Sequence, residues 1–297
     1  MMELRVLRYF LAVAREQNIT AAANFLHISQ PTLSRQLMDL ESEFGKTLMI
    51  RGKRKITLTS EGQLLRKRAE ELIALADKTE AELTFSDAEI GGDIYIGGGE
   101  ADAVRLIAGL AKDIQTEYPN IHYHLISGDA DDLQEKLDKG LIDFGIFVEP
   151  ADITKYEFIR LPATERWGVV MRRDSPLAVK TVIRPEDIWN LPLIISRQTV
   201  QDKLLQKWFQ KDMSQLNIAA TYNLFYNAAL MVEEGFGYMV GIDKLANTSE
   251  SSSLCFVPLN LDYQIHFDLV WKKYQTFSRA AELFLRKAQE SFEIIQK

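Results

Sequence analysis

The chain has 297 residues, of which 46% are hydrophobic and 26% charged, a composition typical of a globular protein with more than one domain. No apolar run approaches the roughly 18 residues that indicate a membrane helix, and early charges argue against a secretory leader. The single cysteine, Cys255, excludes an internal disulfide, so we expect a cytoplasmic protein.

The net charge of −7 conceals an uneven distribution. Residues 1–70 carry 12 Lys and Arg against 7 Asp and Glu, whereas the remainder carries 23 against 35. A basic amino-terminal unit on an acidic body indicates a nucleic-acid-binding head, although chance scatter of charge is an alternative on this evidence alone.

The first sixty residues predict three helices. Apolar residues recur at helical spacing over 4–14, including Leu4, and predict a helix that ends near Asn18. Thr20 is then expected to cap a short alanine-rich helix, and Ser29 to cap a third. Two closely linked helices after a supporting one predict a helix-turn-helix.

The third helix has an unusual outer face. Its buried stripe is predicted to consist of Leu33, Leu37, Leu40 and Phe44. The opposite face begins with hydrogen-bonding side chains and an arginine, namely Gln30, Thr32, Ser34 and Arg35. Pro31 is tolerated because the first helical turn has no N–H partner to lose. These groups at a helix start predict contact with the DNA major groove.

Residues 48–59 alternate around a glycine and predict a two-stranded hairpin. It carries the cations Arg51, Lys53, Arg54 and Lys55. A basic hairpin alone is more often a solvated turn. After a helix-turn-helix it favours a wing that lies along phosphate or reaches into the minor groove.

Residues 3–65 resemble the winged helix-turn-helix of LysR-type transcriptional regulators, through A-A-x-x-L-x-I-S-Q-P-x-L-S-x-Q-L-x-x-L-E, F-G-x-x-L and L-T-x-x-G. The resemblance implies that the recognition helix and wing face DNA and that Thr20 starts the helix crossing the backbone. With their neighbours, the expected DNA-binding residues are Thr20, Ser29, Gln30, Pro31, Thr32, Ser34, Arg35, Arg51, Lys53 and Arg54.

Residues 60–87 predict one long helix, because they contain no proline and only Gly62 near the start. A seven-residue repeat of Leu65, Ala69, Leu72, Ala76 and Leu83, broken by Thr79, predicts a coiled-coil-like seam. With no obvious partner within the chain, pairing of two chains is favoured over packing on the body. The resemblance implies a dimer linker, and tetramers built from two dimers.

The acidic body predicts an α/β fold. Strands and helices alternate over 94–148 as βαβαβ. A second set follows residue 162, with strands predicted at 165–172, 191–196, 219–225 and 237–241 and helices near 200–211 and 228–234. A strand at 263–271 and a helix at 278–295 return at the end. We expect domains at 1–59, 60–88 and 89–297, the last divided into lobe I (90–161 with 267–297) and lobe II (162–266).

The body resembles the effector domain of the same family, which shares its fold with periplasmic solute-binding proteins. The motifs are Y-P at 118–119, L…G.ID.GI at 137–146, LPLI at 191–194 and V..GFG…V at 232–240. Ligands of such folds bind at the carboxyl ends of strands and at helix starts. The expected effector-binding residues are Gly98, Gly99, Glu100, Ala101, Ser127, Gly128, Phe147, Ser196, Arg197, Tyr226 and Asn227, with Asp129, Val148, Glu149 and Gln198 as neighbours.

One position departs from the family pattern. Many relatives place Ser or Thr near Gly99, where it helps bind a carboxylate, so glycine beside Glu100 argues against a simple aromatic acid as effector. Arg197 is suited to pairing with an organic anion, and a surface salt bridge is an equal alternative.

Other chemistry is weakly indicated. His122 and His124 share a strand face without a nearby third metal ligand, and Cys255 is typical of a small buried hydrophobe. No nucleophile elbow, zincin motif or Walker A sequence occurs, so we expect neither an enzyme nor a cofactor. The favoured function is a regulator of promoter DNA that responds to a small molecule and is compatible with an RNA polymerase contact. The alternative is a solute-binding or enzymatic domain whose head mediates assembly.

Overall fold

The computed structural model describes residues 2–52, 55–84, 90–149 and 151–292. The chain divides into two units, Met1–Thr84 (unit 1) and Phe85–Lys297 (unit 2). Within the ranges described, none of the helices is both long enough and apolar enough to span a bilayer.

Unit 1 begins with the three predicted helices, α1 (Leu4–Glu16), α2 (Ile19–Phe25) and α3 (Gln30–Phe44). Phe10, Leu33 and Leu37 are fully buried in their shared core. Phe44 was wrongly placed in the buried stripe: it is 41% exposed, because α3 ends there at Gly45, whose left-handed φ of 60° turns the chain away. Leu4, expected in the core, is 46% exposed and lines an open groove beside α4 (Ser60–Thr84).

The helix caps confirm one prediction and correct another. The Ser29 hydroxyl accepts the Thr32 N–H at 3.3 Å, as expected of the residue that caps α3. Thr20 does not cap α2. That role belongs to Asn18, whose extended backbone lets its side-chain oxygen accept the Ala21 N–H at 3.0 Å.

The predicted hairpin is confirmed as β1 (Met49–Arg51) and β2 (Ile56–Leu58), paired antiparallel. Lys53 and Arg54 lie outside the described residues. The Glu41 carboxylate of α3 accepts the N–H groups of Leu48 and Met49 at 2.7 and 3.1 Å, so the recognition helix itself holds the start of the hairpin.

The long helix is confirmed as α4, and its predicted continuation over 85–87 lies outside the described residues. The expectation that it lacks a partner within the chain is wrong for part of its length. Ala69 is fully buried, and Asp77 pairs with Arg8 of α1. Other residues of the helix are left uncovered: Leu72 is 41% exposed, Leu75 40% and Leu83 81%.

Unit 2 contains two five-stranded sheets, which define its two lobes. In lobe I the order is β4-β3-β5-β12-β6, and β3 pairs with β4 and β5 in parallel, which confirms the βαβαβ prediction. Its strands are Gly92–Gly98 (β3), Ile121–Ser127 (β4), Phe144–Val148 (β5), Tyr156–Glu165 (β6) and Ile265–Lys272 (β12). Its helices are Val104–Glu117 (α5), Ala130–Asp138 (α6) and Arg279–Phe292 (α11); the predicted end of the last, 293–295, lies outside the described residues.

The sheet of lobe II has the order β11-β7-β10-β8-β9. Its strands are Trp167–Arg172 (β7), Leu193–Ser196 (β8), Ile218–Tyr222 (β9), Tyr238–Ile242 (β10) and Leu254–Pro258 (β11). Its helices are Pro185–Ile188 (α7), Arg197–Gln201 (α8), Lys203–Phe209 (α9) and Phe225–Glu233 (α10).

The connections between the lobes lie a few residues from those expected. β6 continues to Glu165 and β12 begins at Ile265, both within the lobe I sheet. The helix predicted near 200–211 is divided into α8 and α9 at Asp202, whose side chain accepts the N–H groups of Leu204 and Leu205 and starts a new helix.

Candidate DNA-binding surface and effector cleft

The start of α3 presents polar groups to solvent. Ser29, Gln30, Pro31 and Thr32 are exposed, and the Gln30 amide donates to the Ser34 hydroxyl at 2.9 Å. The free N–H groups of a first helical turn favour phosphate, and amide and hydroxyl groups can contact base edges. The surface therefore has the chemistry that a duplex would require.

Arg35 on α3 and Arg51 on β1 are also exposed. Neither forms an ion pair with another described residue, whereas Arg15 and Arg66 of the same unit are paired with glutamates. Guanidinium groups that are not engaged by a carboxylate leave their forked donors available to phosphate and to guanine. Thr20 is exposed in the first turn of α2.

The strand ends of lobe I place the expected cleft residues together. Gly98 ends β3 and Ser127 ends the neighbouring β4, which pair with each other in parallel. A Cβ added at Gly99 would meet no atom within 4 Å, so space adjoins this loop. In lobe II, Ser196 ends β8.

Glu100 reaches from one lobe to the other. It lies between β3 and α5, and its carboxylate accepts the backbone N–H of Phe225, the first residue of α10. Tyr226 and Asn227 follow in the first turn of that helix and are exposed. This bond joins two parts of the predicted effector site that are 125 residues apart.

Other expected cleft residues have structural roles. Phe147 is 2% exposed and packs edge-on against Tyr156 in the lobe I core, so its side chain does not line a ligand surface as expected. Ala101 is similarly buried. Ser196 caps α8 by accepting the Thr199 N–H at 3.0 Å, and Asp129, which precedes α6, caps that helix. Arg197 and Gln198 are exposed, whereas Gly128, Val148 and Glu149 are half-buried.

A carboxylate at the end of β6, where the chain passes from lobe I to lobe II, was not predicted. Glu165 is 1% exposed, and its Oε1 accepts the Asp102 N–H at 2.9 Å at the entry to α5. Burial, reinforced by the nearby charge of Asp243, raises the pKa of Glu165 to about 7. The connection between the lobes is thus bonded to the loop that carries Glu100.

An arginine network was also missed. Arg160 of β6 donates to Asp268 at 2.6 Å and to Glu149 at 3.4 Å. Burial raises the pKa of Asp268 despite this partner. Both Arg160 and Asp268 lie on strands, where alternation alone does not indicate that two charged side chains face each other.

His124 and Cys255, which the sequence indicated only weakly as sites of chemistry, make contacts that are common in folded proteins. His124 bonds to Asp93 at 2.9 Å and stacks on Tyr95 at 4.5 Å. Among the residues the structure describes, no group of three or more metal-ligating side chains is found. Cys255 lies in the lobe II core, where burial raises the pKa of its thiol.

A winged helix-turn-helix that exposes Arg35 and Arg51 to solvent, followed by two α/β lobes, is the architecture of a DNA-binding regulator with a ligand-binding domain. Residues 4–63 match the family model described as bacterial regulatory helix-turn-helix protein, lysR family, and residues 88–293 match the LysR substrate binding domain. The chain belongs to the LysR family of transcriptional regulators. Members of this family bind promoter DNA and small-molecule effectors and are regulators rather than enzymes.

Named relatives agree with this assignment. The chain is 28% identical over 279 residues to the Hca operon transcriptional activator HcaR of Escherichia coli (strain K12), covering 92% of each protein. It is 30% identical over 218 residues to the HTH-type transcriptional regulator BsdA of Bacillus subtilis (strain 168), or 73% of this chain and 74% of BsdA. Full-length CbnR complexed with its target DNA aligns with a TM-score of 0.76 at 21% identity, over 98% of this chain and 100% of CbnR, which shows a shared fold.

Proposed function

We propose that this chain binds an inverted-repeat promoter site through α3 and the wing, and that a small molecule held between the lobes of unit 2 modulates that binding. The observation that carries the proposal is the exposure of Arg35 and Arg51 without an ion-pair partner among the described residues, beside the polar start of α3. A cytoplasmic location and a contact with RNA polymerase belong to the same proposal.

Self-association is supported by an apolar groove between α1 and α4. It has a volume of about 610 Å³ and is lined by Leu4, Leu72, Leu75, Ala76, Thr79, Glu80 and Leu83. A second copy of α4 would remove these leucines from water. A dimer would present two recognition helices to successive major grooves, and a tetramer of two dimers would contact more DNA.

The effector would act by favouring one arrangement of the two lobes. A preference worth about 1–3 kcal/mol changes the affinity for DNA by about fivefold to 150-fold. The Glu100–Phe225 bond supports this role, because a larger separation of the lobes at this point would break it.

The decisive experiment removes the two arginines. We expect Arg35→Ala with Arg51→Ala to weaken binding to duplex DNA flanking the chain's own coding region by about thirtyfold or more, because the two lost contacts contribute about 1–3 kcal/mol each. Gel-shift titrations at several salt concentrations measure this. As a control, Lys112→Ala with Lys207→Ala removes two exposed cations from unit 2. Unchanged DNA affinity in the arginine variant would contradict the assignment.

A further inference from the structure

The start of α10 lacks a local cap. The helix has nine residues, the Leu224 side chain before it makes no capping bond, and its first turn contains no acidic residue. α6 and α9, by contrast, are capped by their own Asp129 and Asp202. The free N–H of Phe225 is instead satisfied by the Glu100 carboxylate from the opposite lobe.

Both ends of this bond are held in place. The Phe225 ring is 5% exposed and lies edge-on to Tyr222 at 6.3 Å, so its amide is fixed by the lobe II core. The loop after Glu100 is held by Glu165, at the end of β6, which accepts the N–H of Asp102. Burial raises the pKa of Tyr222, and the charge of Glu100 raises it further. The Glu100 carboxylate therefore lies close to lobe II.

Carboxylates from both lobes also lie near Tyr263. Burial raises the pKa of Tyr263, and the charges of Glu149 from lobe I and Asp202 from lobe II raise it further. The one cation that lowers it, Arg160, is already bonded to Asp268 and Glu149. A ligand carboxylate close to Tyr263 would therefore meet like charges from both lobes.

We infer that Glu100 is a specificity-determining residue of the cleft: its carboxylate holds the position where a ligand carboxylate would meet α10, so the part of the effector that approaches the start of α10 is uncharged or cationic. This inference rests on the proposed function, because it concerns the ligand of the same cleft. The open space at Gly99, directly beside Glu100, leaves room for such a ligand without displacement of the carboxylate.

The test compares the full-length chain with Glu100→Ala, Glu100→Gln and a control, Glu157→Ala, which removes an exposed carboxylate from β6. Melting temperatures are measured in sodium acetate, sodium benzoate and benzamide, against sodium chloride at equal ionic strength. We expect only Glu100→Ala to gain a carboxylate-dependent rise, of about 2 °C or more, because the glutamine of Glu100→Gln still occupies the N–H of Phe225. Benzamide, which is uncharged, should not distinguish the four proteins.

Hydrogen exchange at the start of α10 gives a second readout. Exchange of the Phe225 amide should be about tenfold faster in Glu100→Ala and close to wild type in Glu100→Gln, whose amide oxygen still accepts the bond. If the alanine variant is poorly folded, stabilisation of the wild type by benzoate or acetate relative to sodium chloride would still contradict the inference.

Two results would overturn the inference: stabilisation of the wild type by benzoate equal to that of Glu100→Ala, or no response to carboxylates in a Glu100→Ala protein whose hydrogen exchange away from the start of α10 matches the wild type. Neither readout involves DNA, so failure of the proposed DNA binding would leave this result standing, and the reverse also holds.

Discussion

At the scale of single residues, Glu165 makes the stability of unit 2 depend on pH. Its pKa is about 7 in the folded chain against an ordinary value of 4.5. Between these values the folded state retains a proton that the unfolded state has released. The folded state is therefore favoured at low pH, and this contribution is lost as pH rises towards about 7.

We expect Glu165→Gln to remove that dependence, since the amide stays neutral and its oxygen can accept the Asp102 N–H. Relative to wild type, the free energy of unfolding of the variant should rise with pH by up to about 3 kcal/mol between about pH 5 and about pH 8. Urea unfolding at a series of pH values measures it. Glu157→Gln, on the exposed side of the same strand, is the control, and parallel curves for Glu165→Gln and wild type would refute the prediction.

Residues differ in how far the sequence predicts their surroundings. The polar start of α3 could be predicted because helical spacing puts Gln30 and Arg35 opposite the buried leucines. The partners of Glu100 and Glu165 are 125 and 63 residues away along the chain, and no local pattern encodes such a pairing. Phe147 was misassigned because a strand end indicates the position of the backbone, not which face the side chain occupies.

At the scale of elements, the wing depends on α3 through Glu41. Its carboxylate accepts two backbone N–H groups at the start of β1, from Leu48 and Met49. We expect Glu41→Ala to lower the free energy of unfolding of unit 1 by about 1–3 kcal/mol, because both donors lose their partner in half-buried surroundings. DNA affinity should fall as well, because the wing loses its fixed position beside the recognition helix.

Two variants separate this effect from a change of charge. Glu41→Gln retains an acceptor oxygen and should recover most of the stability, whereas Asp39→Ala removes an exposed carboxylate from the same helix. Urea unfolding and gel-shift titration of all three provide the comparison. If Glu41→Ala and Asp39→Ala behave alike, Glu41 does not hold the wing.

Elements with strong periodicity were predicted and two edge strands were not. β6 and β11 lie at the edges of their sheets. β6 contains Pro162, which an edge strand tolerates because one side needs no ladder donor, but which reads in sequence as a break. β11 follows a serine-rich stretch and has no regular alternation of burial. The division of α8 from α9 escaped notice because Asp202 acts as both the end of one helix and the cap of the next.

At the scale of the whole molecule, the net charge of −7 opposes binding to DNA, so binding must depend on how the charge is distributed. Contacts of unit 1 with phosphate release counterions, and the logarithm of the binding constant falls with the logarithm of salt concentration by about 0.9 per contact. A dimer with two equivalent heads makes twice as many contacts as a monomer. The salt dependence of binding therefore reports how many heads are on the DNA.

Charges placed in the α4 groove should separate the two heads. We expect Leu72→Glu with Leu83→Glu to yield monomers, because these leucines are 41% and 81% exposed in one chain and would face like charges in a pair. The slope of binding against salt should then fall by about half, and affinity for an inverted repeat should approach that for a single half-site. Sedimentation gives the oligomeric state and gel-shift titration the slope. Leu64→Glu alters an exposed leucine of α4 outside the seven-residue seam and should keep the wild-type slope. A double variant that remains dimeric, or a monomer with the full slope, would show that the heads are not joined through this groove.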